Sequence, residues 1–407
     1  MRIVHIVPYF YPAWRMGGTP RAVYELALAQ SRLGHEVRVV TTDIDSPGRV
    51  IGSSSFDRAD AVQETGADLV VKHRGLRILY CRSRLTRLFS SLEAYLIPGL
   101  FGRLNRLAQE NRPDAIHVHE LRTGLSLSAA ALARRYQIPL VVSTHGSLFS
   151  PATSLWKAGI KRIFDFTVGR RLLSPVACFH AVSKREAEDI RRLTCGRKPI
   201  RIIPHGLSLG TPRAQQTALK PPFPALLFAG RIHPIKGLET LLEAWSLVKR
   251  RHSQAALLLL GQGNRTYVRN VASRFGLTLS LEPEWQPGRA VYGGHVAPTV
   301  VADRLARATC LIVPSDYEVW GLVILEALAA GCPVVATHVC GCLEHLDDRS
   351  GVVVVPPGDV KSLAEALEAL IANSPRPSPP PARLSWESVA KAMTALYSVG
   401  GGVRGGE

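Results

Sequence analysis

The sequence predicts an α/β protein made of two successive parallel-sheet halves. Three observations carry that expectation. The chain has 407 residues, more than one ordinary hydrophobic core holds. Short runs of Val, Ile and Leu alternate with segments of helical period, the pattern of buried parallel strands crossed over by helices. The alternation is interrupted once, at residues 207–224, by a polar stretch ending in Lys220-Pro221-Pro222-Phe223-Pro224, which reads as a linker. A content of 46% apolar and 20% charged residues is that of a globular chain and excludes a disordered one.

In the first half, residues 3–7 read as a buried strand, followed by a loop that ends in Gly17-Gly18-Thr19-Pro20. Thr19 is expected to cap a helix with Pro20 at its first position. Val23, Leu26 and Ala27 give that helix its apolar stripe to about Leu33, and Gly34 ends it. A strand over 36–41 completes a Rossmann-like unit that lacks Gly-x-Gly-x-x-Gly. Gly17-Gly18 is either a plain turn or a place where backbone approaches a ligand closely. Asp43-Ile44-Asp45 has the composition of a divalent-ion site on a diphosphate, but it leads into Ser/Gly-rich sequence and reads as a solvated turn. Strands are expected at 115–119, 140–144, 179–182 and 200–203, with Ser183 capping a helix over 184–193. Histidines stand at several strand ends, where the ordinary reading is structural. His145 differs, because Gly146 follows it at a carboxyl end and leaves the backbone open to a ligand.

Charge is unevenly placed. Of the net +18, residues 1–205 hold +15 and the remainder +3. A basic half suits a nucleic acid, an anionic membrane or an anionic substrate, or is simply an arginine-rich surface. Residues 82–107 carry a helical stripe (Leu85, Leu88, Phe89, Leu92, Tyr95, Leu96) flanked by Arg82, Arg84, Arg87, Arg103 and Arg106. A second basic-apolar stretch runs from Trp156-Lys157 through Lys161-Arg162-Ile163-Phe164 to Arg170-Arg171-Leu172-Leu173. Each is either an amphipathic helix on a membrane surface or a helix packed on its own sheet. Seven cysteines in no framework spacing point to free thiols in a reducing compartment. Cys340-Gly341-Cys342 lacks the second ligand pair of a metal site. The apolar run at 3–10 is too short for a signal peptide, and no run spans a membrane, so the expected location is cytoplasmic, with peripheral attachment to the inner membrane face open.

The second half begins with a strand at 226–229 ending in Gly230-Arg231, and Lys236-Gly237 opens a helix over 237–250. A strand at 255–260 ends in Gly261-Gln262-Gly263, and helices follow at 265–275 and 299–307. The central element is a strand at 311–313, a polar loop holding Glu318, and a helix that opens at about Trp320, carries Glu326 on its second turn and stops at Gly331. Acids so spaced can both face the crevice at the carboxyl end of a parallel sheet. The helix start between them offers N–H groups and a positive dipole end to a phosphate. Hydroxyls for the acids and phosphate for the helix suggest a nucleotide sugar. A strand at 351–355, a helix over 359–372 capped by Asp359, a stiff Pro-rich spacer at 374–381, a final helix over 385–398 and a disordered tail from Gly400 complete the chain. Residues 281–288 suggest no role.

Gly230-Arg231…Lys236-Gly237, Glu318 and Glu326 separated by seven residues with Trp320-Gly321-Leu322 among them, and Gly331-x-Pro333-Val334-Val335-Ala336 together resemble the retaining glycosyltransferases of family 4. Gly17-Gly18, His145-Gly146 and Ala181-Val182-Ser183 fit the same pattern, and the resemblance covers roughly 1–398. It implies a GT-B fold: an acceptor-side domain over 1–206, the linker 207–224, a nucleotide-sugar domain over 225–373 facing it across a cleft, a spacer at 374–384, and a helix over 385–398 returning to the first domain. It also implies a metal-independent hexosyltransferase without a cofactor. Arg231 and Lys236 would stabilise the leaving diphosphate, and Glu326 would accept from the ribose hydroxyls. Glu318 and His145 would hold the transferred sugar. Trp320, Gly321 and Leu322 would offer backbone N–H groups, and Gly17, Gly18 and Gly230 would lie close to the donor. The expected acceptor is a saccharide or lipid-linked saccharide of a capsule, exopolysaccharide or lipopolysaccharide. Two departures are visible: Cys340-Gly341 stands where Gly-Gly is frequent before an acid, here Glu344, and His205 replaces Asn in a Pro-Asn-Gly turn, adding bulk and a titratable charge. The alternatives are a nucleotide-sugar epimerase or phosphorylase of the same fold, and a nucleic-acid binder suggested by charge alone. The last lacks any recognisable binding module, so no nucleic-acid partner is expected.

Overall fold

The computed structural model describes residues 1–46, 49–56, 60–66, 68–82, 97–148, 159, 164–207, 219–280 and 282–402. It divides into two compact units, Met1–Gly206 with Trp386–Glu407, and Leu207–Ser385. Leu85, Leu88, Phe89, Leu92, Tyr95 and Leu96 of the first basic stretch lie outside the described residues. So do Trp156, Lys157, Lys161, Arg162 and Ile163 of the second, most of the linker, and the end of the tail.

The first unit runs β1 (Arg2–Ile6), α1 (Gly18–Arg32), β2 (Glu36–Thr42), β3 (Ile44–Ser46), β4 (Arg49–Val50), β5 (Ala61–Thr65), β6 (Asp68–His73) and β7 (Leu76–Cys81). It continues with α2 (Leu100–Glu110), β8 (Ala115–His119), α3 (Gly124–Tyr136), β9 (Leu140–Ser143), β10 (Val176–Ala181), α4 (Lys184–Thr194) and β11 (Ile200–Ile202). Its nine-stranded sheet has the order β11-β10-β9-β8-β1-β2-β7-β6-β5. Pairing is parallel from β11 to β7 and antiparallel through β6 and β5. The sequence reading missed this antiparallel edge. Arg74 and Gly75 both have positive φ, 47° and 87°, the geometry of a two-residue hairpin turn joining β6 to β7. Arg-Gly is a weaker turn signal than Asn-Gly, so the hairpin did not stand out.

Two local expectations are corrected. Thr19 does not cap α1. Gly17, at φ 107°, turns the chain two residues earlier, and no side chain caps the helix. Pro20 is then its third residue, still within the first turn, where N–H groups have no intrahelical acceptor to lose. Asp43 and Asp45 do not form a solvated turn. Asp43 is buried, its N–H donates to the Cys81 carbonyl at 3.2 Å, and β3 pairs antiparallel with β4 beside it. Asp45 faces Arg49 at 3.7 Å. α2 buries Leu100, Leu104 and Ala108 on one face and packs on α3, while Arg103 is bonded to Asp68 and to the Pro98 carbonyl.

The second unit runs β12 (Ala225–Ala229), α5 (Leu238–Arg251), β13 (Ala256–Leu260), α6 (Arg265–Phe275), β14 (Thr278–Leu279), β15 (Ala290–Gly294) and α7 (Pro298–Arg307). Then come β16 (Cys310–Val313), α8 (Leu322–Ala329), β17 (Val334–Thr337), β18 (Val352–Val355) and α9 (Val360–Ala372). The sheet order is β14-β15-β13-β12-β16-β17-β18, and every pairing is parallel. The strands β12, β13, β16 and β17 are buried along their whole length, which is why they read as unbroken apolar runs. Residues 282–288 have a structural role: the Trp285 indole N–H donates to the Leu226 carbonyl at 2.7 Å, and the guanidinium groups of Arg304 and Arg307 lie over its ring at 5.9 and 5.8 Å.

The last helix, α10 (Trp386–Gly402), belongs to the first unit, where it packs on α1 and β9. It buries Val389, Ala390, Met393 and Tyr397, and runs past Gly400, where a disordered tail was expected. Among the described residues no helix is long and apolar enough to cross a membrane.

Candidate active site

In the second unit the loops leaving the carboxyl ends of the strands are tied to one another. Gly237 has φ 66°, and a Cβ there would collide with the Pro314 carbonyl that follows β16. The Asp316 N–H donates to the Ile235 carbonyl at 2.9 Å. These ties bring the turn after β12 against the loop after β16, and Lys236 Nζ donates to Glu318 Oε2 at 2.6 Å. A second tie joins the loops after β12 and β13. Gly261, at φ 144°, lies against the Gly230 carbonyl where only glycine fits, and the Ile232 N–H donates to the Gln262 carbonyl at 2.8 Å. Gly230 and Arg231 themselves are exposed at the end of β12.

The helix α8 starts at Leu322, not at Trp320. Gly321, at φ 94°, is its cap, and Trp320 is buried in the preceding loop. The cause is a clamp from the following segment: the Cys342 N–H donates to the Trp320 carbonyl at 2.9 Å and the Gly341 N–H to the Glu318 carbonyl at 3.3 Å. Gly321 and Leu322 therefore form the opening of the helix, whose first N–H groups have no intrahelical acceptor. Glu326 is half-buried on the second turn, and Glu344 is exposed. Burial pushes the Cys340 thiol up to about 12 and Cys342 well above its ordinary value, so both stay protonated.

Three buried polar atoms have no partner among the described residues: Gln262 Oε1, Ser315 Oγ and Tyr267 Oη. Gln262 follows β13 and Ser315 follows β16, both in carboxyl-end loops, and Tyr267 sits in the first turn of α6, the helix that follows β13. Buried polar groups are almost always satisfied, so this rim has the character of a polar ligand site. Burial, then Glu239 and Asp316, pushes Tyr267 up to about 12, so it is a neutral hydroxyl.

In the first unit, Gly17 is half-buried with open space where a side chain would stand, and Gly18 is exposed at the start of α1. His145 has φ 49°, in the left-handed region. Its turn is held by Glu186, which sequence reading passed over. The buried carboxylate accepts from Thr144 Oγ1 at 2.5 Å, from the Gly146 N–H at 3.1 Å and from the Val182 N–H at 2.8 Å. Ser183 and Glu186 have capping-box spacing, and the acid turns away to fix the neighbouring loop instead. Burial raises its pKa, opposed by those three hydrogen bonds.

Behind His145 lies a row of polar side chains on one sheet face. His5 pairs with His117 across β1 and β8, His119 with Ser143 across β8 and β9, and Ser143 with His180 across β9 and β10. In register these residues share a face. His119 lies 2.9 Å from His145 and 3.0 Å from His5, and His5 lies 2.7 Å from Gln30. Burial drives His5 and His180 down to about 4 and His145 to about 3, and holds His117 and His119 well below the usual range, so the rings are neutral at pH 7. His205 stacks on His145 with ring centres 5.4 Å apart and is driven well down by burial too. It adds bulk, but not the charge expected from sequence. The ring nitrogens of His5, His117 and His119 lie within 4.8 Å of one another, the geometry of a three-histidine metal cluster. Both nitrogens of each ring, however, already have a hydrogen-bond partner. A signal for the row was present: His117-x-His119 puts two imidazoles on one strand face.

The architecture is that of the GT-B glycosyltransferases. The solved sucrose-phosphate synthase of Thermosynechococcus elongatus aligns with a TM-score of 0.69 and 20% identity over 98% of this chain and 99% of its own. The Anabaena protein HepE in complex with UDP-glucose aligns with a TM-score of 0.62 and 16% identity, covering 98% and 95%. Family profiles agree: Glycosyltransferase Family 4 matches residues 16–210 and Glycosyl transferases group 1 matches 223–373. Among curated relatives, glycogen synthase of Mycobacterium tuberculosis is 26% identical over 98% of this chain and 94% of its own. Phosphatidyl-myo-inositol mannosyltransferase of Mycobacterium leprae is 27% identical over 92% and 88%. The chain belongs to glycosyltransferase family 4 and is a glycosyltransferase.

Proposed function

We propose that this enzyme moves a sugar, with retention of anomeric configuration, from a nucleoside-diphosphate sugar to a saccharide or lipid-linked saccharide during surface-polysaccharide assembly. The observation that carries this reading is the Lys236–Glu318 pair at 2.6 Å on a carboxyl-end rim that also holds unpartnered buried polar atoms. Lys236 and Arg231 meet the leaving diphosphate, whose negative charge grows in the transition state. The opening N–H groups of α8, at Gly321 and Leu322 beside Trp320, support the phosphates. Glu326 accepts from the ribose, and Glu318, which Lys236 already orients, accepts from a sugar hydroxyl. Gly17, Gly18 and Gly230 leave room for the donor, and His145 is a further sugar-contacting group. The anomeric carbon–oxygen bond to phosphate breaks while the acceptor oxygen bonds to that carbon on the same face, and the acceptor proton passes to a phosphate oxygen. Neither a metal nor a cofactor is required.

The complex of HepE with UDP-glucose supports the donor class. The names of the relatives support a polysaccharide or a lipid-borne acceptor, and the basic first half supports work at an anionic membrane face. Incubation with UDP-, GDP- and ADP-sugars and a lipid-linked saccharide, with and without chelator, tests the reading through the anomeric NMR signal of the product. A retained anomer that needs acceptor and tolerates chelator supports it. Inversion, or an isomerised sugar formed without acceptor, contradicts it, the latter in favour of an epimerase. Binding to duplex DNA without binding to anionic vesicles would favour the nucleic-acid alternative.

A further inference from the structure

The histidine row of the first unit forms one unbroken hydrogen-bond chain, and its direction is fixed at one end. His180 Nε2 lies 2.7 Å from the Ile203 carbonyl, which only accepts, so Nε2 carries the proton. In the neutral ring Nδ1 is then a lone pair, and Ser143 Oγ at 2.6 Å donates to it. The Ser143 oxygen accepts from His117 Nε2 at 2.7 Å, and His117 Nδ1 accepts from Tyr397 Oη at 2.8 Å. The phenol oxygen accepts from Gln30 Nε2 at 3.3 Å. On the other side of the same amide, Gln30 Oε1 accepts from His5 Nε2 at 2.7 Å. His5 Nδ1 accepts from His119 Nε2 at 3.0 Å, and His119 Nδ1 accepts from His145 Nε2 at 2.9 Å.

Reversing every bond fails at the far end. It would leave a bare His180 Nε2, on a buried ring, facing the bare oxygen of the half-buried Ile203, two acceptors with no proton between them. Only one polarity satisfies all the members, and it dictates the tautomer of each ring. The middle of the chain passes through Tyr397 on α10 and Gln30 on α1, so the returning helix is built into it.

We propose that Tyr397 and Gln30 are positioning residues that hold His145 in one tautomer, protonated at Nε2 and accepting at Nδ1. Towards a sugar, His145 then accepts a hydroxyl proton and does not donate one. The effect on transfer rests on the proposed role of His145, whereas the tautomer does not. Neutrality of the rings, which burial enforces, is what makes each carry a single proton. A bound cation would consume the same nitrogens and is the competing outcome.

The test is the imidazole 15N–1H spectrum of the full-length protein labelled at histidine, with the His145 signals assigned from His145→Gln. The expected wild-type spectrum shows His145 protonated at Nε2 alone, in protein free of stoichiometric divalent metal by elemental analysis. Tyr397→Phe keeps the ring and removes the hydroxyl, freeing Gln30 and the three rings beyond it to reverse, so His145 becomes a mixture of tautomers. Ser143→Ala cuts the same chain near its anchor and gives the same mixture if Tyr397→Phe does not fold. In either variant kcat falls in proportion to the productive tautomer that remains, about twofold for an even mixture, while the Kd of the sugar-free nucleoside diphosphate is unchanged. A wild-type His145 protonated at Nδ1, an unchanged tautomer in both variants, or one equivalent of bound metal overturns the proposal. A tautomer mixture with unchanged kcat overturns the positioning role. Absence of any transferase activity would sink the functional reading alone, because the spectrum still decides the chain.

Discussion

Lys236 and Glu318 of the second unit face each other as a charged pair with side chains 17% and 19% exposed. The histidine row of the first unit is buried, neutral and linked end to end without a carboxylate. One region keeps charge where solvent or a ligand can reach it. The other removes charge and keeps only the direction of its hydrogen bonds. In a site of the first kind the sign of a side chain matters most, and in the second it is the continuity of the chain. Perturbations should therefore act differently on the two.

The largest effect is expected at the charged pair. Lys236→Ala should lower kcat/KM by about 10²–10³-fold, the usual cost of removing one group aimed at developing charge. Stability should fall by about 1–2 kcal/mol, because the largely buried Glu318 is left without its partner. Steady-state kinetics and thermal melts on one preparation check both. A large drop in melting temperature would instead make Lys236 a structural residue.

Acid should attack the other region. The unfolded histidines bind protons below about pH 6.5, whereas His5 and His180 do so in the fold only near 4. Between those values the unfolded state holds more protons, so stability falls as the pH falls. By pH 5 each of these two rings should cost about 2 kcal/mol. Glu186, with its raised pKa, works in the opposite direction, but it is one carboxyl against several rings. Urea unfolding at pH 7, 6 and 5 measures the slope, and a flat profile would mean that the rings are not buried and neutral.

Gly237→Ala sharpens the contrast from the backbone side. The added methyl meets the Pro314 carbonyl at a positive φ, so roughly 2 kcal/mol of stability should be lost. Activity should fall with it, because Lys236 and Glu318 are brought together by that contact. The smallest effect is expected at Cys340 and Cys342. Their protonated, buried thiols should react with a thiol reagent in the folded protein far more slowly than the exposed Cys195. Mass spectrometry after a short pulse reads the difference.

Much of the second unit was legible in the sequence, because its strands are buried on both faces and read as apolar runs. Glu318, Glu326 and Lys236-Gly237 stood at strand ends where ligands of parallel sheets bind. What was hidden depended on contacts between distant segments. The clamp of Gly341 and Cys342 on the Glu318–Trp320 loop delays the start of α8, and no local propensity of Trp320 reveals it. The strands β5 to β7 were missed because their alternating pattern sits in polar, glycine-containing sequence. The histidine row needed the strand order, since His5, His119 and His180 are far apart in sequence and meet only through β1-β8-β9-β10. His205 was read as a titratable addition to a turn, whereas its burial against His145 suppresses the charge.

The carboxyl-end rim of the second unit is expected to hold a nucleoside diphosphate. Calorimetric titration of UDP, GDP and ADP into the wild-type enzyme, Lys236→Ala and Glu326→Ala tests it directly. One of the three should bind wild type with one-to-one stoichiometry, and each substitution should weaken it by about tenfold or more, equivalent to about 1.4 kcal/mol. Equal affinity in all three proteins, or no binding of any diphosphate to the wild type, would contradict it.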